Sequence, residues 1–254
     1  MENPKNSSET SQLDELIIKY SPFLNEIRKR ALITLSVFAA ATVVGFVYYE
    51  KIIKFLIDIL SLHGINIVFT SPFQFINLAI SCGIATGLVL VFPLLLYQVL
   101  SFLKPALRER EYKMVVRLLP FSIVLFLIGF SFGILVMKWQ IQLFLTKSVS
   151  LGIGNILDIS RLISTVLLVS AFMGIAFQFP IIMLLLMRLG VIHHTQLAKQ
   201  RLWIYLGSLI VTFLLPLDSI LADALLTLPI VILFEFTLIL NRMYERKKLT
   251  AHPG

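Results

Sequence analysis

Charge is the first thing this sequence lacks. Only 14% of its 254 residues are Asp, Glu, Lys or Arg and 58% are hydrophobic. An ordinary soluble domain carries about 25% charged and about 45–50% apolar residues. The chain therefore reads as a membrane protein built from spanning helices, not as one or two soluble domains. Acids are scarcer than bases, 14 against 22, which leaves a formal net charge of +8. Cysteine is nearly missing. Cys82 stands alone in an apolar run, makes no intrachain disulfide, offers no metal spacing and reads as a small buried hydrophobe. No G-x-x-x-x-G-K-[ST] loop is present to cradle phosphates, and no H-E-x-x-H to hold zinc. His193-His194 is the one histidine pair, and adjacent helical residues point about 100° apart, which chelates poorly. No Ser–His or Asp–Asp pair stands at matching depth inside the apolar runs. Neither an enzyme nor a cofactor is expected.

What the sequence has is long apolar runs. About 20 apolar residues cross the hydrocarbon core as a helix. Six candidate spans emerge: about 31–49, 73–100 with Pro93, 118–137 with Pro120, 162–187 with Pro180, 202–217 ended by Pro216, and 219–240 with Pro229. The fold expected is an all-α polytopic bundle over 21–241, with a flexible tail at 1–20 and a basic tail at 242–254. Residues 1–20 are polar and read as no cleavable leader, so the first apolar run is expected to serve as the insertion signal. The fifth run is short: sixteen residues reach only about 24 Å at the helical rise. Segment 50–62 differs again. Ile52, Ile53, Phe55, Leu56, Ile59 and Leu60 gather on one helical face, with Lys51, Lys54 and Asp58 opposite. This is an amphipathic helix, lying on the membrane or packed on the bundle.

Lys and Arg placement sets the orientation. Seventeen fall in the N-terminal tail, loops 101–117 and 188–201, and the C-terminal tail; five fall on the other side. Both termini are expected in the cytoplasm. The positive charge is then an orientation signal and a contact with anionic lipid. No basic surface domain exists to hold nucleic acid.

Polar groups within spans stand out against this background, because burying them in lipid is costly. Asp218 and Asp223 lie near the outer end of the last hairpin, and Glu235 near the inner end of the sixth span. Asp218 also suits a helix cap. Gln178 lies deep in the fourth span, two residues before Pro180. It is placed to satisfy a carbonyl that the proline releases, or to reach a neighbouring helix. In the basic stretch SFLKPALREREYK (101–113), Glu109 has Lys113 at i+4, whereas Glu111 has only Arg108 at i−3. Glu26 has Arg30 at i+4.

Taken in order, several motifs resemble the TatC family, the receptor subunit of the twin-arginine protein translocase. They are Phe23-Leu24-Asn25-Glu26-Ile27-Arg28-Lys29-Arg30, Ser71-Pro72-Phe73, Pro93 through Tyr97-Gln98-Val99, Phe102-Leu103-Lys104-Pro105-Ala106-Leu107 with Glu111, Phe177-Gln178-Phe179-Pro180, Leu214-Leu215-Pro216-Leu217-Asp218, and Leu228-Pro229 with Leu233-Phe234-Glu235. The resemblance spans about residues 20–246. It implies six spans, N-in/C-in, in a curved concave bundle of a bacterial inner membrane. It also implies a receptor for twin-arginine signal peptides that exports folded proteins on the proton motive force, with TatB- and TatA-like single-span partners and other copies of itself. Carried over, Glu26 and Glu111 receive the two arginines, Phe102, Pro105 and Leu107 shape the site, and Arg28 lies beside Glu26. Gln178 stands where an acid is common in the family, which keeps hydrogen bonding there and weakens a proton-linked role. Phe23, Ala106, Leu215, Leu217 and Ala222 also depart from the usual pattern. Two other classes compete: a small-solute secondary transporter, which calls for internal repeats that we do not find, and a scaffold that only organises other membrane proteins.

Overall fold

The computed structural model describes residues 4–62, 65–104, 109–152, 156–188, 200–215 and 220–250. Eight helices and one short ribbon appear among them: α1 (Pro4–Val47), α2 (Tyr49–Leu60), β1 (Asn66–Val68), α3 (Gln74–Leu103), α4 (Glu109–Ser150), β2 (Ile156–Asp158), α5 (Ile159–Ala176), α6 (Phe179–Arg188), α7 (Arg201–Phe213) and α8 (Ile220–Thr250). Five stretches are long and apolar enough to cross a membrane: Asn25–Val47, Gln74–Phe102, Val116–Ser150, Ile159–Met187 and Ile220–Ile239. The protein is a multi-pass membrane protein. The fifth run of the sequence forms the shorter apolar helix α7. It ends at Phe213, with Leu214 as its cap, just ahead of Leu215, which Pro216 disfavours in helical backbone.

Helices run past the apolar runs at several ends. α1 begins at Pro4, so the segment expected as a flexible tail is helical from residue 4. Proline suits the first helical position. The helix runs on through Pro22 without ending there. α8 likewise continues to Thr250, into the basic tail. α2 forms where the amphipathic pattern placed a helix. Leu56 and Leu60 are buried while Lys51, Lys54 and Phe55 stay exposed. It thus packs on α3 and α4 along one face and leaves the other free.

α3 is the hub. It packs most extensively on α1, and also on α2, α4 and α5. Small residues set the α1–α3 distance. A Cβ at Gly83 would lie 2.8 Å from the backbone O of Thr42, and one at Gly45 would lie 2.6 Å from Cβ of Thr86. Small-residue seams of this kind let helix backbones approach closely in lipid, where van der Waals packing drives association. Gly133 makes a similar contact between α4 and Ser170 of α5. Leu78, Cys82, Ile163, Val166, Met173 and Leu226 fill the interior, and Phe92 stacks on Phe126 with centroids 3.9 Å apart. Cys82 is fully buried, as a small hydrophobe would be.

One feature departs from a purely helical plan. β1 and β2 pair in parallel, with Ile67 opposite Leu157, and close one end of the bundle. We call this the cap end, and the opposite end, where Arg30 meets the C-terminal part of α3, the basic end.

The glycine seam makes a stability prediction. Gly83→Val drives side-chain atoms into α1 and should cost about 1–3 kcal/mol. Its thermal unfolding midpoint in detergent should fall clearly below that of Gly207→Ala, since nothing lies within 4 Å of a Cβ at Gly207. Equal midpoints would refute the seam.

Candidate functional site

The basic end holds two of the residues that the family resemblance singles out, Glu26 and Phe102, and the first turn of α4, which carries Glu111. α1 brings Glu26, whose side chain is 52% exposed. Arg30, one turn on, donates from Nη2 to Glu26 Oε1 at 2.6 Å and from Nη1 to the carbonyl of Gln98 at 2.9 Å. Thr34 Oγ1 donates to the Arg30 carbonyl or to Gln98 Oε1, each 2.9 Å away. Arg30 therefore ties the acid on α1 to the end of α3. Phe102 follows Gln98 by one turn on α3 and is half-buried. Beyond it, Lys104 Nζ lies 5.5 Å from the ring centroid of Tyr112 on α4, which draws the two ends of the connecting loop together. Glu111 precedes Tyr112 in the first turn of α4; its side chain lies outside the described residues, as do Pro105 and Leu107. Arg28 is exposed. Glu109 and Lys113 are both exposed and form no ion pair among the described residues.

Several polar groups of the membrane interior are paired. Gln178 is only 4% exposed. It sits in the turn between α5 and α6, where Pro180 lacks the N–H that would continue the helix. The backbone N–H of Gln178 bonds to Ile175 O instead of Gly174 O. The freed Gly174 carbonyl then lies 3.4 Å from Gln178's own Nε2, and the Ser122 carbonyl of α4 lies 3.2 Å from it. Ser122 Oγ donates to Gln178 Oε1. Both readings of Gln178 from the sequence are thus realised together. Its amide is engaged within the chain and is not presented to a partner helix. Glu235 accepts from the hydroxyl of Tyr205 and lies 3.5 Å from Arg201 Nε, joining α8 to α7 near the basic end. Thr212 and Thr227 join the same two helices nearer the cap end, 2.8 Å apart. Asp218 lies outside the described residues.

Known proteins agree with this architecture. The family model described as Sec-independent protein translocase protein (TatC) matches residues 22–229. The chain belongs to the TatC family. It is 31% identical to TatCy of Bacillus subtilis over 229 residues, covering 87% of this chain and 88% of that protein. It is 28% identical to TatC of Aquifex aeolicus over 234 residues, covering 89% and 95%. A crystal structure of the twin-arginine translocase receptor TatC in DDM superposes with a TM-score of 0.78 at 26% identity, covering 85% of this chain and 98% of that one.

Two acids of this TatC chain carry more structure than the sequence disclosed. Asp223 of α8 is 5% exposed, and its Oδ1 has no hydrogen-bond partner. Asp158 ties the cap end together. It caps α5, accepting from the N–H groups of Ser160 and Arg161 at 3.0 and 3.2 Å. Its other oxygen accepts from Thr70 Oγ1 and Gln74 Nε2, both at 2.7 Å, which fastens the start of α3 to the start of α5. The cap was visible in principle, as an aspartate directly before an apolar run. The tie to Thr70 and Gln74 was not, because those partners lie more than 80 residues away.

Burial alone would raise the Asp158 carboxyl. The hydrogen bonds from Thr70, Arg161, Gln74 and Ser160 outweigh it and hold the group below the ordinary aspartate value. A depressed carboxyl stabilises the fold above the unfolded value of about 3.9, and that contribution is lost as pH falls through the lower folded value. Asp158→Ala should lower stability near neutral pH by about 1 kcal/mol through the lost cap. It should also show a shallower loss of thermal stability between roughly pH 5 and pH 3 than the parent chain. Parallel pH profiles would contradict the tie.

Proposed function

We propose that this chain is the signal-peptide receptor and core of a twin-arginine translocase, driven by the proton motive force and exporting folded proteins. Membership of the TatC family over residues 22–229 carries this reading, and the likeness to a solved twin-arginine receptor supports it. Both termini and the 101–113 loop lie in the cytoplasm of a bacterial inner membrane, following the bias of Lys and Arg. Residues 21–241 form the membrane domain, with α7 as a short sixth crossing. The tails are cytoplasmic. TatB- and TatA-like single-span subunits and further copies of this chain complete the complex.

Glu26 and Glu111 receive the two arginines of the precursor, with Phe102, Pro105 and Leu107 shaping the site and Arg28 beside it. A guanidinium is planar, permanently charged and binds a carboxylate through two parallel N–H donors, so lysine replaces it poorly. Glu26 is already engaged by Arg30. That pair is partly exposed, and such pairs contribute only about 0–1 kcal/mol. An incoming arginine displaces Arg30 from Glu26 at small cost. Arg30 keeps the Gln98 carbonyl as its partner when this happens, so it is not left stranded.

Site-specific crosslinking of a twin-arginine peptide to the purified full-length chain tests the assignment. Glu26→Ala and Glu111→Ala should each weaken crosslinking while insertion and thermal stability hold, and a peptide with Lys-Lys in place of Arg-Arg should crosslink weakly to the parent. Undiminished crosslinking in both variants would sink the site.

A further inference from the structure

A slot of about 370 Å³ opens between α2, α3, α4 and α5. Its size falls within the roughly 300–1,000 Å³ of small-molecule sites. Phe55 and Leu56 of α2, Val89 and Leu90 of α3, Phe130 of α4 and Leu167 of α5 line it. Phe55 and Leu90 stand exposed at its rim, so the slot faces the surroundings of the bundle, not its interior. Lys51 is the charged residue of the lining. Its Nζ lies 5.0 Å from the ring centroid of Tyr48. Among the described residues, neither Lys51 nor Lys54, three residues on, is paired with a carboxylate. Of the acids of α2, Glu50 accepts from the Tyr49 hydroxyl and Asp58 has an interaction of its own.

We infer that this slot holds one acyl chain of an anionic phospholipid, with the headgroup phosphate at Lys51. The walls are apolar and offer water almost nothing to bond. At membrane depth the medium that meets such a slot is lipid hydrocarbon. A lysine whose stem lies along an apolar wall carries its ammonium to the headgroup level, and the aromatic ring of Tyr48 belongs at the same level. An unpaired ammonium at that level favours a negative headgroup over a zwitterionic one. The seated chain fills the space beside α2 and holds this short helix against α3 and α4.

The full-length chain in mild detergent, offered phosphatidylglycerol or phosphatidylcholine with identical acyl chains, tests the site by native mass spectrometry. One phosphatidylglycerol should be retained about fivefold better than phosphatidylcholine, the scale of one lysine's attraction to an anionic headgroup. Lys51→Glu should abolish that preference. Leu90→Trp, at the exposed rim, should fill the slot and lower retention of both lipids. Lys147→Glu, in the last turn of α4 and outside the slot, should change neither. Equal retention of the two lipids by the parent chain would overturn the proposal. So would an unchanged preference in Lys51→Glu, unchanged retention in Leu90→Trp, or a loss in Lys147→Glu equal to that in Lys51→Glu.

Discussion

The close approach of α1 to α3 at Gly45, Gly83 and Thr42 is the contact on which the basic end depends. A short interaxial distance there brings Arg30 within 2.9 Å of the Gln98 carbonyl. Arg30 in turn holds Glu26. α1 has little else to lean on: only 11% of its apolar window is buried, against 44% for α3. Without the seam, the carboxylate on α1 would have no fixed position relative to Phe102 and the first turn of α4, which carries Glu111. α3 also spans to the cap end, where Gln74 meets Asp158. A single helix thus links the position of Glu26 to the closure of the opposite end.

A second constraint shapes the rest. Lipid offers no partner to an unsatisfied backbone or side-chain polar group. The break at Pro180 would leave the Gly174 carbonyl unsatisfied, and the Gln178 amide recovers it while bonding α4 through Ser122. Thr212 and Thr227 bond each other, and Tyr205 and Arg201 engage Glu235. Asp223 is the exception among the described acids, with one carboxyl oxygen buried and unpartnered. The network between α7 and α8 lets the short apolar helix α7 hold its place beside a longer one.

Much of the fold was legible because its determinants are local. Apolar run length located the five long helices, the amphipathic pattern at 50–62 gave α2, and the proline after Gln178 explained that residue's bonding. Other features escaped because their partners are distant. The ribbon pairs residues 66–68 with 156–158, and three-residue strands leave no periodicity to read. The helical extension of α1 back to Pro4 was hidden by polarity, since polar residues with good helix propensity resemble a loose tail. The Glu26–Arg30 pair was visible at i,i+4 spacing, but the attachment of Arg30 to Gln98 across 68 residues was not. Nothing in composition or periodicity marked Glu26 as a receptor residue. That proposal came from resemblance to a family; the matches to TatC proteins establish the family, and the role of Glu26 rests on the crosslinking experiment.

The central claim is that helix packing, not the carboxylates alone, builds the proposed peptide site. The affinity of the full-length Gly83→Val chain for a twin-arginine peptide measures this most directly, with Gly207→Ala alongside. Glu26 and Glu111 are both intact in each variant. The account predicts weakened binding in Gly83→Val and parental binding in Gly207→Ala. Parental affinity in a Gly83→Val chain whose thermal stability has fallen would contradict it.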